Sequence, residues 1–334
     1  MTSRTRYFVI VSLLILTIGL GTGLIAYYFG LPLGAAQSAT DDLKLVPHDV
    51  SLVAYADVRA VMVSQVRQRI LEMLPAQGNG AQDFESQTGI KIDSDVDRVV
   101  GCLAPSAKGS GQPLAGMVLV RGRFDEAKID ALMRAHGARE EDYNGKRLLV
   151  GDVQVGQTGS ASLSLAFVES GLVAAGTTEL VRAAIDLTHG GANVTGNEEV
   201  MNFVRTFDGT DAWTVGRFDM LTASAPLPAG ATSQLPLITW ISASGRVDSG
   251  IAGTFRADTR DAESASSLRD LLRGIIAFAR LQTGSHPELQ PMLDSLQLGG
   301  TSTSVTLAFD VSPQMFDQLA TAFKGLQRRP LTPR

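Results

Sequence analysis

The chain has 334 residues, of which 44% are hydrophobic and 19% charged, and its formal net charge is −5. That is ordinary globular usage with enough length for a sizeable core, which excludes wholesale disorder. Arg4 and Arg6 precede the first apolar segment, so the remainder carries −7. This is the wrong sign for a phosphate-binding surface, and nucleic acid is not an expected partner.

From Tyr7 to Phe29 the chain reads YFVIVSLLILTIGLGTGLIAYYF. As a helix these residues would extend roughly 35 Å, enough to cross a hydrocarbon core of roughly 30 Å. Arg4 and Arg6 lie before the segment, and Asp41 and Asp42 are the first charges after it. The positive-inside rule therefore places residues 1–6 in the cytoplasm and everything after the span outside, on a single-pass anchor in a bacterial cytoplasmic membrane. Tyr7 and the Tyr27-Tyr28-Phe29 cluster suit the two headgroup boundaries. A cleaved signal peptide is the alternative, because Gly34 and Ala36 resemble an export-peptidase site. The apolar stretch is longer than a signal core of roughly 7–15 residues, which favours the anchor. Gly19 and Gly23 form a GxxxG spacing, here read as ordinary packing tolerance in a membrane helix.

Residues 30–42 are small and polar and read as a linker. Val50–Ala56 then reads as a strand, and Val63, Val66, Ile70 and Met73 recur at helical spacing until Pro75. The segments at 77–82 and 109–113 are turn-rich, whereas Val99–Ala104 and Gly116–Gly122 read as strands. Asp125 suits a helix N-cap, with Phe124 and Ile129 as a hydrophobic staple and Gly137 as the C-terminal cap. LLVGDV, SLSLAFV and GLVAAG predict successive strands, followed by a helix over Glu179–Leu187 that stops at Gly190-Gly191. Thr195 to Glu198 has the form of a capping box.

The order of elements then repeats. GRFD occurs at Gly122–Asp125 and Gly216–Asp219, and SLSLAF (Ser162–Phe167) matches SVTLAF (Ser304–Phe309). The repetition points to a duplicated unit, with a first α+β unit at 43–195 and a second at 196–325. ITWISASG and IAGTFRAD predict a hairpin. Leu268, Leu271, Leu272, Ile275, Ile276 and Ala279 then predict a long helix with one apolar face. Ser285–Glu288 forms another capping box, and a strand at Ser304–Phe309 and a helix through Phe316–Phe323 follow. Residues 326–334 read as a basic, frayed tail. The expected fold is α+β, with antiparallel sheets and helices packed on one face.

Chemistry is sparse. Cys102 is the only cysteine, so no intramolecular disulfide or thiolate zinc cluster can form, and the residue reads as a small buried hydrophobe. His136 and His189 precede glycines at helix ends and His286 lies in a capping box, where a structural role outweighs a catalytic one, while His48 gives no stronger signal. GxSxG and SxxK are absent, as are a nucleotide-binding glycine loop in the soluble region and HExxH. Asp93, Asp95 and Asp97 form a DxDxD run, but Arg98 and Ala104 stand where a calcium loop needs glycine and glutamate, so a solvated turn is the better reading. Asn193-Val-Thr195 is formally a glycosylation sequon.

TGIKIDSDVDRVVGCL (Thr88–Leu103), LVRGRFDEAKIDALM (Leu119–Met133) and NGKRLLV (Asn144–Val150) resemble a group of uncharacterised bacterial membrane-anchored proteins. The resemblance implies an exported α+β domain behind an N-terminal span and carries no activity or functional residue. The composite expectation is a non-catalytic binding or scaffold module of the cell envelope, with no cofactor or metal, held to the bilayer by its first helix. One alternative is an extracytoplasmic hydrolase using carboxylates, with Asp93, Asp95, Glu140 and Glu141 as first suspects. The other is an apolar-ligand carrier with a continuous cavity between sheet and helices. An aromatic content of 6% argues against a carbohydrate platform built on ring stacking.

Overall fold

The computed structural model describes residues 39–73, 85–86, 88–106, 114–155, 159–224, 236–282 and 290–315. The expected span at 7–29, the turn-rich segments at 77–82 and 109–113, the capping box at 285–288, and the C-terminal helix from Phe316 with its tail lie outside the described residues. Among the described residues no helix is long and apolar enough to cross a membrane.

The first half contains α1 (Ala39–Leu43), β1 (Leu52–Ala56), α2 (Val58–Val63), α3 (Gln65–Met73), α4 (Ile92–Asp95), β2 (Val96–Pro105) and β3 (Leu114–Gly122). It continues through α5 (Glu126–Ala135), β4 (Arg139–Tyr143), β5 (Lys146–Val155), β6 (Gly159–Glu169), β7 (Leu172–Thr177) and α6 (Thr178–Leu187). The second half has α7 (Glu198–Val204), β8 (Ala212–Arg217), α8 (Phe218–Ser224), β9 (Ile238–Val247) and β10 (Ile251–Thr259). It ends with α9 (Ala262–Gln282), α10 (Gln290–Asp294), β11 (Gln297–Gly299) and β12 (Ser304–Val311). These strands form one 12-stranded sheet in the order β11-β12-β10-β9-β8-β1-β2-β3-β7-β6-β5-β4.

Local chemistry sets several boundaries. Asp125 caps α5 by accepting from the Lys128 amide at 3.1 Å. At its other end Gly137 has φ +87°, and the Ala138 and Gly137 amides donate to Met133 and Arg134 carbonyls at 3.0 Å each, the paired bonds of a left-handed helix stop. The single helix expected between Val63 and Met73 is two, because Ser64 takes an extended conformation (ψ 147°). Its hydroxyl then accepts from the Arg67 amide at 3.2 Å, opening α3. The cap of α7 is Asn197, which accepts from the Val200 amide; Thr195 sits instead in a short 3-10 turn. Residues 39–42, read as the end of a linker, form α1 with Leu43.

Alternation along each strand creates two apolar faces. On the upper face Val53, Tyr55, Val100, Cys102, Met117 and Leu119 pack under Leu180, Val181, Ala184 and Ile185 of α6 and Phe203 of α7. On the lower face Val58 of α2 is joined by Ile92 of α4 against Val99 and Val118. Further along it, Val66 of α3 and Met292 of α10 cover Val311, and Ala265 and Leu268 of α9 cover Val305. Helices on one face only, and more than one sheet, are thus corrected: adjacent residues such as Val99 and Val100 are both buried, so both faces of one central sheet require cover.

The two halves share an order of pairing. β1-β2-β3-β7 in the first corresponds to β8-β9-β10-β12 in the second. β1 and β8 meet antiparallel about Ala54 and Thr214, a local two-fold that leaves the faces unexchanged. Following the pairings outward places Val100, Leu119 and Ala174 in the positions of Ser242, Arg256 and Thr306. The next row, Cys102, Met117 and Gly176, corresponds to Ser244, Thr254 and Ala308. The short identities noted in the sequence do not fall on this correspondence. One GRFD runs from the last residue of β3 to the cap of α5 and the other spans the end of β8 and the start of α8, and SLSLAF is in β6 whereas SVTLAF is in β12.

The segment after α1 belongs to the core. Leu43, Leu45 and Val46 are buried on the upper face, and the side chain of Asp42, residue exposure 1%, accepts from Arg98 Nε at 2.5 Å and from Arg121 Nη2 at 2.5 Å. Arg121 also reaches Glu169 at 3.0 Å. This clamp joins the N-terminal segment to β2 and β3.

Candidate functional site

A groove of about 860 Å³ lies on the lower face between α5 and the β4–β5 hairpin. Its floor is Leu149, Leu165 and Phe167, which alternation turns to that face of β5 and β6. Asp130 and Arg134 of α5 and Glu140 and Arg147 of the hairpin form the rim.

β4, with the sequence REEDY, was not anticipated as a strand because it has no apolar alternation. It is held by charge on both sides. Below, Asp130 pairs with Arg134 at 3.0 Å and with Arg147, and Arg134 also holds Glu140 at 2.5 Å. Above, Arg182 of α6 holds Glu141 at 2.6 Å and stands over the Tyr143 ring, while Asp186 accepts from Tyr143 Oη at 3.0 Å and from Asn144 at 2.6 Å. The signal missed in sequence is therefore a charge pattern matched to two helices.

Glu140 and Glu141, grouped in the sequence as suspects, occupy opposite faces of β4: Glu140 lies opposite Leu149 and Glu141 opposite Leu148. Neighbouring strand residues cannot converge on one substrate atom. Asp93 and Asp95 are elsewhere, in α4. Asp95 bonds its own turn, and the Lys91 amide donating to its carboxylate lowers its pKa below the usual value. Asp97 pairs with Arg59 and lies 3.8 Å from Arg123. Asp95 and Asp97 are thus committed to separate partners, and among the described residues no group of three or more potential ligands could hold a metal ion.

A smaller groove of about 460 Å³ is lined by His48, Asn197, Arg217, Met220 and Trp240. His48 Nδ1 is 2.7 Å from Asp49. Arg217 stands over the Trp240 ring at 5.6 Å and pairs with Asp219 at 2.7 Å. His136 contacts the Leu132 carbonyl at 2.9 Å, and His189 lies beside Thr188 at 3.2 Å. His286 is outside the described residues. Cys102 is buried, and burial pushes its thiol up to about 12, so it is unreactive near neutral pH. Asp57 is the carboxylate raised by burial, with the nearby Asp211 charge adding to the effect, but its side chain caps α2 through the Ala60 amide.

The grooves thus offer apolar contact and oriented charge. In the larger one, Asp130, Glu140 and Glu141 are each ion-paired with an arginine. No family model, curated protein or solved structure matches the chain.

Proposed function

We propose that the protein is a membrane-tethered, non-catalytic binding module of the bacterial cell envelope. In this reading Tyr7–Phe29 spans the cytoplasmic membrane, residues 1–6 stay inside, and the sheet domain works outside. The charge asymmetry around the apolar segment supports the topology. The binding role rests on one observation: the large groove has an apolar floor at Leu149, Leu165 and Phe167 beneath Asp130 and Glu140, both paired with Arg134. The matching strand order further supports descent of the two halves from a duplicated unit.

Two measurements test the reading. With a C-terminal tag, protease added to spheroplasts should digest the tag, and the membrane-bound species should retain residues 1–36 by intact mass. A protected tag overturns the topology. Capture from crosslinked membranes at native expression should enrich a partner that a folded Leu165→Glu variant fails to retain. Equal capture by both chains, or enrichment of nothing, refutes the groove's role.

A further inference from the structure

The local two-fold exposes a second surface. On the upper face of the first half, the rows Val100-Leu119-Ala174 and Cys102-Met117-Gly176 are apolar or small and form part of the core beneath α6. The corresponding rows of the second half are Ser242-Arg256-Thr306 and Ser244-Thr254-Ala308. The lower-face residues of those same strands remain apolar, with Val247, Ile251, Phe309 and Val311 packed together. Polarity is confined to one side, at a position where the other half has a core.

Three features indicate what this side contacts. First, Ser242, Ser244, Thr254 and Thr306 make no side-chain hydrogen bond among the described residues. Ser242 is nevertheless more than nine-tenths buried, and strand alternation aims it at this face. Second, a depression of about 310 Å³ opens there, lined by Ser244 and Thr254 together with Gln297 and Asp310. Third, formal charge is balanced, Arg256 being paired with Asp258 at 2.7 Å.

We propose that this sheet face binds a glycan strand. A protein interface of the stable kind needs an apolar centre, a nucleic acid needs excess positive charge, and lipid needs an apolar surface; the two rows, beyond the Trp240 and Phe203 rings at their edge, have none of these. Hydroxyl, amide and carboxylate groups fixed on four adjacent strands supply the donors and acceptors that a polyhydroxylated chain requires. Recognition here works through a hydrogen-bonding lattice, so the low aromatic content does not oppose it. The inference rests on the extracytoplasmic reading for its source of ligand, the glycan of the cell wall.

The test uses the full chain purified in detergent, co-sedimented with isolated peptidoglycan sacculi and titrated with a hexamer of N-acetylglucosamine. Wild type should pellet with sacculi, and Ser244→Ala with Thr254→Val should weaken binding about tenfold, corresponding to roughly 1.4 kcal/mol, with an unchanged thermal midpoint. Thr306→Val alone, reading the same lattice from β12, should weaken it in the same direction if the double variant does not fold. Asp270→Asn, on the exposed surface of α9, should bind like wild type. The proposal is overturned if wild type binds neither probe, or if the folded lattice variants bind as tightly as wild type. Either result leaves the spheroplast topology experiment independent.

Discussion

The upper faces of the two halves are built on corresponding strands yet solve different problems. In the first, Leu119 is 1% exposed beneath covering segments, and burial of such a side chain contributes roughly 1.5–3 kcal/mol. In the second, its counterpart Arg256 stands over the Phe203 ring at 5.1 Å, among the hydroxyls of Ser242, Thr254 and Thr306. Backbone topology therefore does not dictate whether a sheet face is apolar. The side chains at alternate positions do.

Exchanging residues between the halves is the severest way to break that comparison. Met117→Thr removes apolar volume and buries a hydroxyl, and should cost about 3 kcal/mol. The reciprocal Thr254→Met should stay within about 0.5 kcal/mol. Urea unfolding of both variants measures the difference; equal costs would show that the two faces are equally buried in solution. Next in size is Asp42→Ala, which strips the carboxylate from Arg98 and Arg121. Because both guanidiniums retain some solvent, the expected loss is about 2–3 kcal/mol, below that of a fully buried pair. Early proteolysis within residues 39–50 should accompany it.

The repeated GRFD tetrapeptide gives a finer contrast. Asp125→Ala deletes a helix cap and should cost about 1 kcal/mol. Asp219 lies inside the first turn of α8 and pairs with Arg217, so Asp219→Ala should cost about 0.5 kcal/mol or less. Thermal unfolding distinguishes them, and equal losses would restore the equivalence that the tetrapeptide suggests. The smallest effect concerns Asp57. Its folded pKa is raised by burial above the usual 3.8, so the stability it contributes is present below the unfolded pKa and falls as pH rises through the folded value. Asp57→Asn keeps a capping oxygen and should remove that decline. A pH series of melting points that retains the same slope just above pH 3.8 would exclude the assignment.

Elements with an apolar period were legible in the sequence. β2, β3 and α6 follow from it, as does the cap at Asp125. β4 was not, because its reason for existing is the spacing of charges on α5 and α6, which no local window contains. The correspondence of Val100 with Ser242 was likewise invisible, since it depends on strand pairing and the residues are chemically unlike. Periodicity also overstated one surface. In α9, Leu268 is buried, whereas Leu271 and Ile275 are exposed, as are Phe278 at 60% and Leu281 at 82%. The candidate carboxylates failed for a geometric reason: Glu140 and Glu141 are adjacent in a strand, and adjacency there means separation by the sheet.

The Asp42 clamp has a mechanical consequence. Any load entering through residue 39 reaches two guanidiniums on neighbouring strands before it reaches the backbone bonds of β1. The Val194 amide, donating to the Val46 carbonyl at 2.9 Å, adds a second point of resistance beyond the buried Leu43 and Leu45. Force is thereby shared between β2 and β3 in the interior of the sheet, instead of peeling a strand from its edge, and yielding would begin with the N-terminal segment while the strands keep their register.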